Sequence, residues 1–484
     1  MILAALVRFI HLSADPAPGM TWSGCLATDE GRWTGGAVNM VRHGSFIVEG
    51  DLNNVVLNPL LQVLYAAVFR LAGIGLVQAR LVSVLSSLGM LALVFAVLRK
   101  RAGPLIACVC VLLCATMYVP FVYGRLAFCE PFVSLCLIAA LWLLLDRPCG
   151  RASTWMAGLA FALALLSKPS AASFAIPAGE AVLLFGHRRL ALLWVVALPL
   201  ALVVGWLLLV NARWGDVLQG QRQIAGPDAA SLTDFLRAAG RVVGVGGQGY
   251  PGVWPWLVSS AYLWVPAAYA LAPRHRAEIA LCLLWLFAAL LQHTTKVYYE
   301  VRYTLPLLPP ITLALGLLMA GLRRRTDRWA SAWIVVLVGV LAATAYDGGR
   351  VAAFLAYPRC SVADAAREVD RTMASQAQSP RLLGASAAAL SLAAGGFDCL
   401  YPFEIARTNS YDAVPELLRK YRPTHVLVPA DVPLRSPEAG AALNRAETVA
   451  FLGDQYVLYR VVPPATSRGS DPRPGPGSTE RGFR

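Results

Sequence analysis

Two adjacent carboxylates near the N-terminus are the first residues whose position suggests chemistry. Residues 28–33 read Thr-Asp-Glu-Gly-Arg-Trp and follow an apolar N-terminal stretch. At a membrane surface, Asp29 or Glu30 would be placed to act as a general base toward an acceptor hydroxyl group. The simpler alternative is that Thr28 or Asp29 caps a helix over residues 33–43, because such caps are common.

A third carboxylate and a lysine stand at the edges of apolar blocks further along the chain. Glu130, in the sequence Cys-Glu-Pro-Phe at 129–132, would be costly beside a bilayer unless it is hydrated, paired or functional. An ion pair with Arg125 is its structural alternative. Lys168 precedes Pro169 between two short apolar segments, where it would either bind phosphate or extend to the lipid headgroups.

The polar stretch at 293–303 combines cations with aromatic rings. It reads His-Thr-Thr-Lys-Val-Tyr-Tyr-Glu-Val-Arg-Tyr and contains Lys296, Arg302 and Tyr303. Such a set is a suitable lining for a phosphate group and a sugar ring. The alternative is an aromatic belt at the membrane interface.

Other kinds of site find little support in the sequence. Residues 244–249 match the dinucleotide fingerprint, but no strand leads into them, so we interpret them as a flexible outer loop. The six histidines are scattered and no cysteine pair has zinc spacing. A Cys360–Cys399 disulfide stays open, because spacing alone cannot set connectivity. The net charge of +14 lies in short loops between apolar blocks, which argues against nucleic acid as a partner.

Composition identifies the membrane as the solvent of this chain. The 484 residues are 57% hydrophobic and 14% charged, with a mean hydropathy of +0.58, whereas soluble proteins carry about 25% charged residues. Residues 1–13 are apolar but too short to span, and we expect the natural start to lie upstream. With that stretch, about eleven transmembrane helices are predicted; the other ten lie near residues 78–98, 104–123, 130–146, 153–167, 170–186, 190–211, 253–272, 277–295, 303–321 and 329–346.

The charge of the loops predicts the orientation. If residues 57–76 form an interfacial helix on the outer surface, the basic loops all face the cytoplasm, as the positive-inside rule requires. If residues 57–76 span, every one of those loops moves outside. The first topology places the N-terminus in the cytoplasm and the C-terminus outside. The loops concerned are 99–101, 147–151, 187–189, 274–276 and 323–328.

The sequence therefore predicts a mainly α, polytopic membrane protein with outer-face loops and a small C-terminal α/β domain. In the C-terminal part, helices are expected at 361–376 and 411–421 and short strands at 425–428 and 456–459. The expected division is a membrane domain over 1–349 with outer loops 14–77 and 212–252, an extracytoplasmic domain over 350–463, and a disordered tail over 464–484.

The order of these motifs resembles that of the GT-C glycosyltransferases. Within that superfamily it is most similar to glycosyltransferase family 39, with the bacterial lipid A aminoarabinose transferases and the protein O-mannosyltransferases. The similar motifs extend over residues 1–321. The C-terminal part resembles the family only in general architecture, as an outer domain that follows a membrane domain. The segments that carry it are Asp29-Glu30, Leu57-Asn58-Pro59, Ala79-Arg80-Leu81, Cys129-Glu130-Pro131-Phe132, Ser167-Lys168-Pro169 and Arg302-Tyr303-Thr304-Leu305-Pro306.

Three positions depart from the family pattern. Trp33 stands where the family has Tyr, Asn58 where it has Lys or His, and Glu130 where it has Asp. The change at Asn58 removes a direct cation contact from that position. The extra methylene group of Glu130 alters the reach of its carboxylate.

The resemblance implies a reaction at the outer membrane face in which a sugar leaves a polyprenyl-phosphate carrier with inversion at the anomeric carbon. Asp29 would deprotonate or orient the acceptor hydroxyl group, and Glu130 would orient the acceptor or, with Asp29, hold a divalent cation; the metal stays open. Glu30 is the third catalytic candidate. The substrate-binding candidates are Arg32, Trp33, Asn58, Arg80, Arg125, Lys168, Lys296, Arg302 and Tyr303.

Two other functions stay open at this point. One is a multi-pass transporter or flippase for an envelope lipid or glycan, although the charges gather at one surface and not at the bilayer midplane. The other is an inactive relative that acts as a scaffold. The acceptor, whether lipid, glycan or protein, and the sugar are not readable from motifs. A bacterial inner membrane is the expected location, with membrane lipids as partners.

Overall fold

A computed structural model describes most of the chain. The ranges that it describes are 2–16, 20, 25–145, 151–185, 190–224, 231–294, 300–325, 331–376, 379–402, 405, 411, 413–432, 438, 442–451 and 454–461. The expected disordered tail over 464–484 lies outside these ranges.

The N-terminal three quarters of the described chain is helical. Among the described residues, five helical segments are long and apolar enough to cross a membrane, and five shorter apolar helices accompany them. A multi-pass membrane protein is therefore confirmed, while the count of eleven crossings stays a prediction. The helices are α1 (Ile2–Phe9), α2 (Cys25–His43), α3 (Pro59–Ala72), α4 (Leu76–Ala102), α5 (Pro104–Thr116), α6 (Tyr118–Tyr123), α7 (Glu130–Leu145), α8 (Arg151–Ser167), α9 (Ala175–Leu184), α10 (Leu198–Ile224), α11 (Leu232–Val243), α12 (Trp254–Leu271), α13 (Arg276–Thr294), α14 (Leu308–Arg323) and α15 (Ala332–Ala356).

Short 3-10 turns set the irregular joints between these helices. Two of them matter for the site, because Pro169–Phe174 follows Lys168 and Val301–Leu307 carries Arg302. The first turn interrupts the apolar block predicted at 170–186, as a proline at its start allows. Both joints bring a cation to the end of the bundle.

Three sequence expectations about helix bounds are corrected. α2 begins at Cys25 and not near residue 33, because the helical pattern extends through the polar Thr-Asp-Glu-Gly run. α10 continues to Ile224, past the predicted end at 211, because its polar last turns hid a helical continuation. α15 continues to Ala356, past the predicted end at 346.

The interfacial interpretation of residues 57–76 agrees with the length of α3. This helix has 14 residues, so it is about 21 Å long. A hydrocarbon core of about 30 Å is too thick for it to cross alone. Pro59 at its first turn and Gly73 with φ of 83° at its end fix its limits.

The C-terminal part contains a five-stranded sheet, so the expected strand region is confirmed. The strand order is β2-β1-β3-β5-β4, with β1 parallel to β2 and β3, and β5 antiparallel to β3 and β4. Its elements are α16 (Ser361–Ala374), β1 (Arg381–Leu383), α17 (Ala387–Ala394), β2 (Asp398–Leu400), α18 (Val414–Tyr421), β3 (His425–Pro429), β4 (Leu443–Phe451) and β5 (Asp454–Val461). Cys360 and Cys399 are both free thiols in this structure.

The C-terminal part packs directly on α2. Arg42, at the end of α2, donates a hydrogen bond to Ser391 Oγ at 3.0 Å and forms an ion pair with Asp398 at 3.3 Å. Asp15 accepts hydrogen bonds from Ser361 Oγ at 2.7 Å and from the Val362 N–H at 3.2 Å, and so caps α16. Burial raises the pKa of Asp15 in spite of these bonds. The C-terminal part of the chain thus holds the end of α2, the helix that carries Asp29.

Gly31 allows α2 and α17 to touch through their backbones. A Cβ atom at this position would lie 2.2 Å from the carbonyl carbon of Ala388. We expect Gly31→Ala to lower the free energy of unfolding by about 1–3 kcal/mol, since the two helices would have to separate. Gly35→Ala on the same helix is the control, because its Cβ would meet only Asp51 Oδ2 at 3.4 Å. Thermal unfolding in detergent would compare them, and equal melting temperatures would contradict the close approach.

His425 makes the stability of the C-terminal sheet depend on pH. Its ring is buried, contacts Gln376 Oε1 at 3.1 Å, and has a pKa lowered to about 4 by desolvation. Because the unfolded chain binds this proton near pH 6.5, stability is complete above pH 6.5 and falls as the pH drops toward 4. We expect His425→Gln to flatten that part of the curve, measured by hydrogen exchange of β3 between pH 4 and 7. An unchanged pH profile in the variant would exclude this role.

Candidate active site

Glu30 and Arg80 form a fully bonded ion pair at the base of the candidate site. Arg80 Nε and Nη2 donate to the two carboxylate oxygens of Glu30 at 2.8 and 2.6 Å, and the Ala127 N–H donates to Oε1 at 2.8 Å. Arg80 Nη1 also donates to the carbonyl oxygens of Leu12 and Ala14 at 2.8 and 2.7 Å. This pair ties α2 to the start of α4 and leaves Glu30 little capacity for proton transfer.

Asp29 lies one residue earlier on α2 and pairs with a different arginine. Arg302 Nη1 donates to Asp29 Oδ2, and both side chains are buried. The Arg302 guanidinium also lies 4.7 Å from the centre of the Phe128 ring. The described residues engage Asp29 only through Oδ2, so its second oxygen is available to a substrate.

Glu130 and Lys168 form the third pair. Lys168 Nζ donates to Glu130 Oε1 at 2.7 Å, while Glu130 Oε2 is buried without a hydrogen-bond partner in the described part of the chain. Lys168 Nζ also lies 4.4 Å from the centre of the Tyr303 ring, and Arg302 lies 5.2 Å from the same ring. Tyr303 therefore joins the second pair to the third.

The structure replaces the two structural alternatives that the sequence left open. Asp29 lies within α2, so it does not cap the helix. Glu130 pairs with Lys168 and not with Arg125. Arg125 instead donates to the carbonyl oxygens of Ile10 and His11 at 2.7 and 2.6 Å, and so closes the end of α1. It lies outside the three-pair cluster.

Three other predicted site residues lie on α2 or connect to it: Arg32 and Trp33 are part of the helix, and Asn58 reaches it through Gln62. Arg32 Nη2 donates to Gln221 Oε1 at 3.1 Å, which links α2 to the far end of α10. Asn58 is completely buried, and its Oδ1 accepts from Gln62 Nε2 at 3.3 Å. Gln62 Nε2 also donates to the Trp33 carbonyl at 2.7 Å. Asn58 therefore supports α2 and does not reach the charged cluster through these bonds.

Lys296, which the sequence predicted to bind substrate, lies outside the described residues. Two further residues at the site, Phe128 and Gln221, were not predicted from the sequence. Phe128 stacks on Arg302, and Gln221 fixes Arg32 while donating to the Leu52 carbonyl. Gln221 had no signal because it fell in a predicted loop. Phe128 directly precedes the Cys-Glu-Pro-Phe motif, but an aromatic residue beside an apolar block is ordinary.

The cluster is electrically balanced. Three carboxylates face three cations, as Glu30–Arg80, Asp29–Arg302 and Glu130–Lys168. A buried ion is stable only when it is paired and hydrogen-bonded. Among the described residues, no group of three or more His, Cys, Asp or Glu side chains could hold a metal ion. Asp29 and Glu130, for which a shared divalent cation was left open, each face a cationic side chain.

All six charged residues lie at one end of the helical bundle. Arg80 is in the first turns of α4, and the basic run Arg99-Lys100-Arg101 is in its last turn. Those positions are about 30 Å apart along the helix, which is the thickness of a hydrocarbon core. The cluster and the basic run Arg99-Lys100-Arg101 therefore lie at opposite ends of α4.

Comparison with known proteins gives this arrangement a family context. Residues 58–214, about a third of the chain, match the sequence-family model of dolichyl-phosphate-mannose-protein mannosyltransferase. That segment contains Arg80, Glu130 and Lys168 but neither Asp29 nor Arg302. A search of curated protein sequences gave no match.

Solved structures with the same fold extend the likeness to the whole chain. The crystal structure of ArnT from Cupriavidus metallidurans bound to undecaprenyl phosphate is 16% identical, with a TM-score of 0.63 over 97% of this chain and 98% of the other. The apo state of the same protein is 15% identical, with a TM-score of 0.63 over 95% of this chain and 97% of the other. The oligosaccharyltransferase of Archaeoglobus fulgidus in complex with Zn and sulfate gives 12% identity and a TM-score of 0.52 over 95% and 72%.

At such identities the structures show a shared fold. Together with the family-model match, they support a membrane glycosyltransferase of the GT-C superfamily, and the recognition made from the motifs is confirmed. The chain resembles ArnT and the O-mannosyltransferases in particular.

The Glu130–Lys168 pair makes a direct test of the balance of charge. We expect Lys168→Met to lower the free energy of unfolding by about 3 kcal/mol, because it leaves a buried carboxylate without its cation. The double variant Glu130→Gln with Lys168→Met should recover much of that loss, since no net charge stays buried. Denaturant titration in mixed micelles would measure both. The single variant Glu130→Gln completes the cycle, and losses in the two single variants that add up to the loss in the double variant would show that the two residues do not interact.

Proposed function

We propose that the protein transfers a sugar from a polyprenyl-phosphate carrier to a hydroxyl group at the outer face of the membrane. The observation that carries this proposal is the convergence of Asp29, Glu130, Lys168 and Arg302 at the end of the bundle opposite the basic loops. The fold shared with ArnT supports the donor class, because that structure holds undecaprenyl phosphate.

The proposed chemistry is a single displacement with inversion. The acceptor oxygen attacks the anomeric carbon, the bond from that carbon to the phosphate oxygen breaks, and the lipid phosphate leaves with the bonding electrons. The acceptor proton passes to Asp29, whose Oδ1 has no partner among the described residues. Arg302, bonded to Oδ2, keeps this carboxylate oriented for the transfer.

Lys168 and Arg302 are proposed to receive the leaving phosphate. Both lie against the Tyr303 ring, at 4.4 and 5.2 Å from its centre, so they can face one anion from two directions. Prepositioned cations lower the energy of a developing negative charge most effectively where water is excluded. Glu130 Oε2 is then free to orient the acceptor hydroxyl group.

The outer-face assignment follows from the distribution of charge. The opposite end of the bundle carries Arg99-Lys100-Arg101, Arg274 and Arg323-Arg324, and the positive-inside rule puts that end in the cytoplasm. The C-terminal sheet, docked on α2, then lies outside as a separate unit beginning after α15. In a bacterium this membrane would be the inner membrane.

Asp29→Asn tests the role of the proposed base. We expect turnover to fall about 100-fold to 10,000-fold, because general-base catalysis contributes that range. Membranes containing each variant would receive radiolabelled polyprenyl-phosphate sugars, and release of label from the carrier lipid would be followed at equal expression. Glu49→Gln, an exposed carboxylate of the same outer segment, is the matched control and should retain full turnover.

Two results would argue against this assignment. Equal turnover in Asp29→Asn and wild-type protein would remove Asp29 from the reaction. No turnover by wild-type protein with any polyprenyl-phosphate sugar would contradict the donor class.

A further inference from the structure

A basic cavity lies at the end of the bundle that the proposed reaction does not use. Its volume is about 330 Å³, and it opens where α12 ends, α13 begins and α14 ends. Arg274, Arg324 and Arg325 supply three cations to its lining. Leu271 and Ala272 supply apolar surface beside them. The cavity therefore offers both a cationic and a hydrocarbon-like wall.

The cavity and the candidate active site are separated by the length of the membrane. α13 has 19 residues, so its two ends are about 28 Å apart. Arg274 precedes the first end, and Arg302 follows the second. A ligand in the cavity would contact neither the charged cluster nor its substrates.

His275 provides a buried polar atom in the same cavity. Its side chain lines the cavity, the residue is only 7% exposed, and Nε2 has no hydrogen-bond partner among the described residues. A buried polar nitrogen without a partner is costly, so such atoms are normally satisfied by water or by a ligand. In the tautomer with hydrogen on Nε2, this ring would donate to an anionic oxygen.

The positive charge of the cavity is not neutralised by the nearest acidic side chain of α13. Glu278 instead accepts from Arg101 Nη1 at 2.7 Å. Arg325 Nη1 donates to the Leu271 carbonyl at 3.5 Å, which places it along the apolar edge. Arg274 and Arg324 are exposed and can turn toward a bound anion.

We propose that this cavity binds the phosphate group of an anionic membrane lipid. Arginine guanidinium groups are well suited to phosphate oxygens, and basic pockets at helix ends on the cytoplasmic side hold lipid headgroups of this kind. Leu271 is the last residue of α12, an apolar helix that exposes Leu263, so the cavity lies at the end of an apolar helix surface. A lipid satisfies both walls, since its headgroup meets the arginines while its chains follow the helices.

The experiment compares two variants with the same loss of charge. Arg274→Gln with Arg324→Gln removes two cations from the cavity. Arg276→Gln with Arg323→Gln removes two adjacent cations that stack on Tyr269 and Trp333 instead. Full-length protein in neutral detergent would be titrated with phosphatidylglycerol, and bound lipid would be counted by native mass spectrometry beside the melting temperature.

We expect the cavity variant to bind phosphatidylglycerol about tenfold more weakly than wild-type protein, and the control variant to bind it almost normally. His275→Phe, which keeps the charge, should also weaken binding and should reduce the rise in melting temperature. Equal weakening in the cavity and control variants would show a diffuse charge effect and overturn the site. Equal stabilisation by inorganic phosphate would assign the cavity to a soluble anion. Loss of sugar transfer in Asp29→Asn would leave these outcomes unchanged, so the two proposals fail independently.

Discussion

The candidate site depends on one constraint: the charged side chains packed at one end of the helical bundle must be paired with opposite charges. Three carboxylates and three cations come from five segments of the chain, and all are buried except Lys168, whose side chain is 15% exposed. An isolated ion would be strongly unfavourable there. The helices must therefore meet in a register that pairs every charge, and this requirement positions Asp29, Glu130, Lys168 and Arg302 together.

The three ion pairs differ in how much hydrogen-bonding capacity they leave for a substrate. Glu30 and Arg80 use nearly all their hydrogen-bonding capacity on protein atoms, so they hold α2 against α4. Asp29 and Glu130 each keep one carboxylate oxygen without a described partner. Two neighbouring carboxylates of α2 thus differ in how many of their oxygens are bonded within the described chain, although the sequence presents them as equals.

The sequence singled out Asp29, Glu130, Lys168 and Arg302, which the structure brings together, but it did not predict their partners. For Glu130 the signal was physical, because a charge at the edge of an apolar block is costly. Their pairing depends on tertiary structure, since Asp29 and Arg302 are 273 residues apart. Arg125, only five positions from Glu130, was a reasonable local partner, but it binds the carbonyl groups at the end of α1.

Helix bounds show the same limit. Hydropathy located the apolar blocks, and the strands at 425–428 and 456–459 were predicted within longer strands of the sheet. Polar extensions of two helices, α2 and α10, were not predicted. The first turns of α2 read as a capping segment, and the last turns of α10 read as a loop, because hydropathy does not register a helix that leaves the membrane.

The extension of α10 has a mechanical consequence. The helix has 27 residues, but a break in its backbone at Trp214 divides it into residues 198–213 and 215–224, about 24 and 15 Å long. The shorter segment holds Arg32 through Gln221. Because a helix adjusts to a thinner or thicker bilayer by tilting, a tilt of the longer segment would move the break at Trp214 and, through it, the segment that contacts the helix carrying Asp29. The bilayer is then a structural component of the site as well as its solvent.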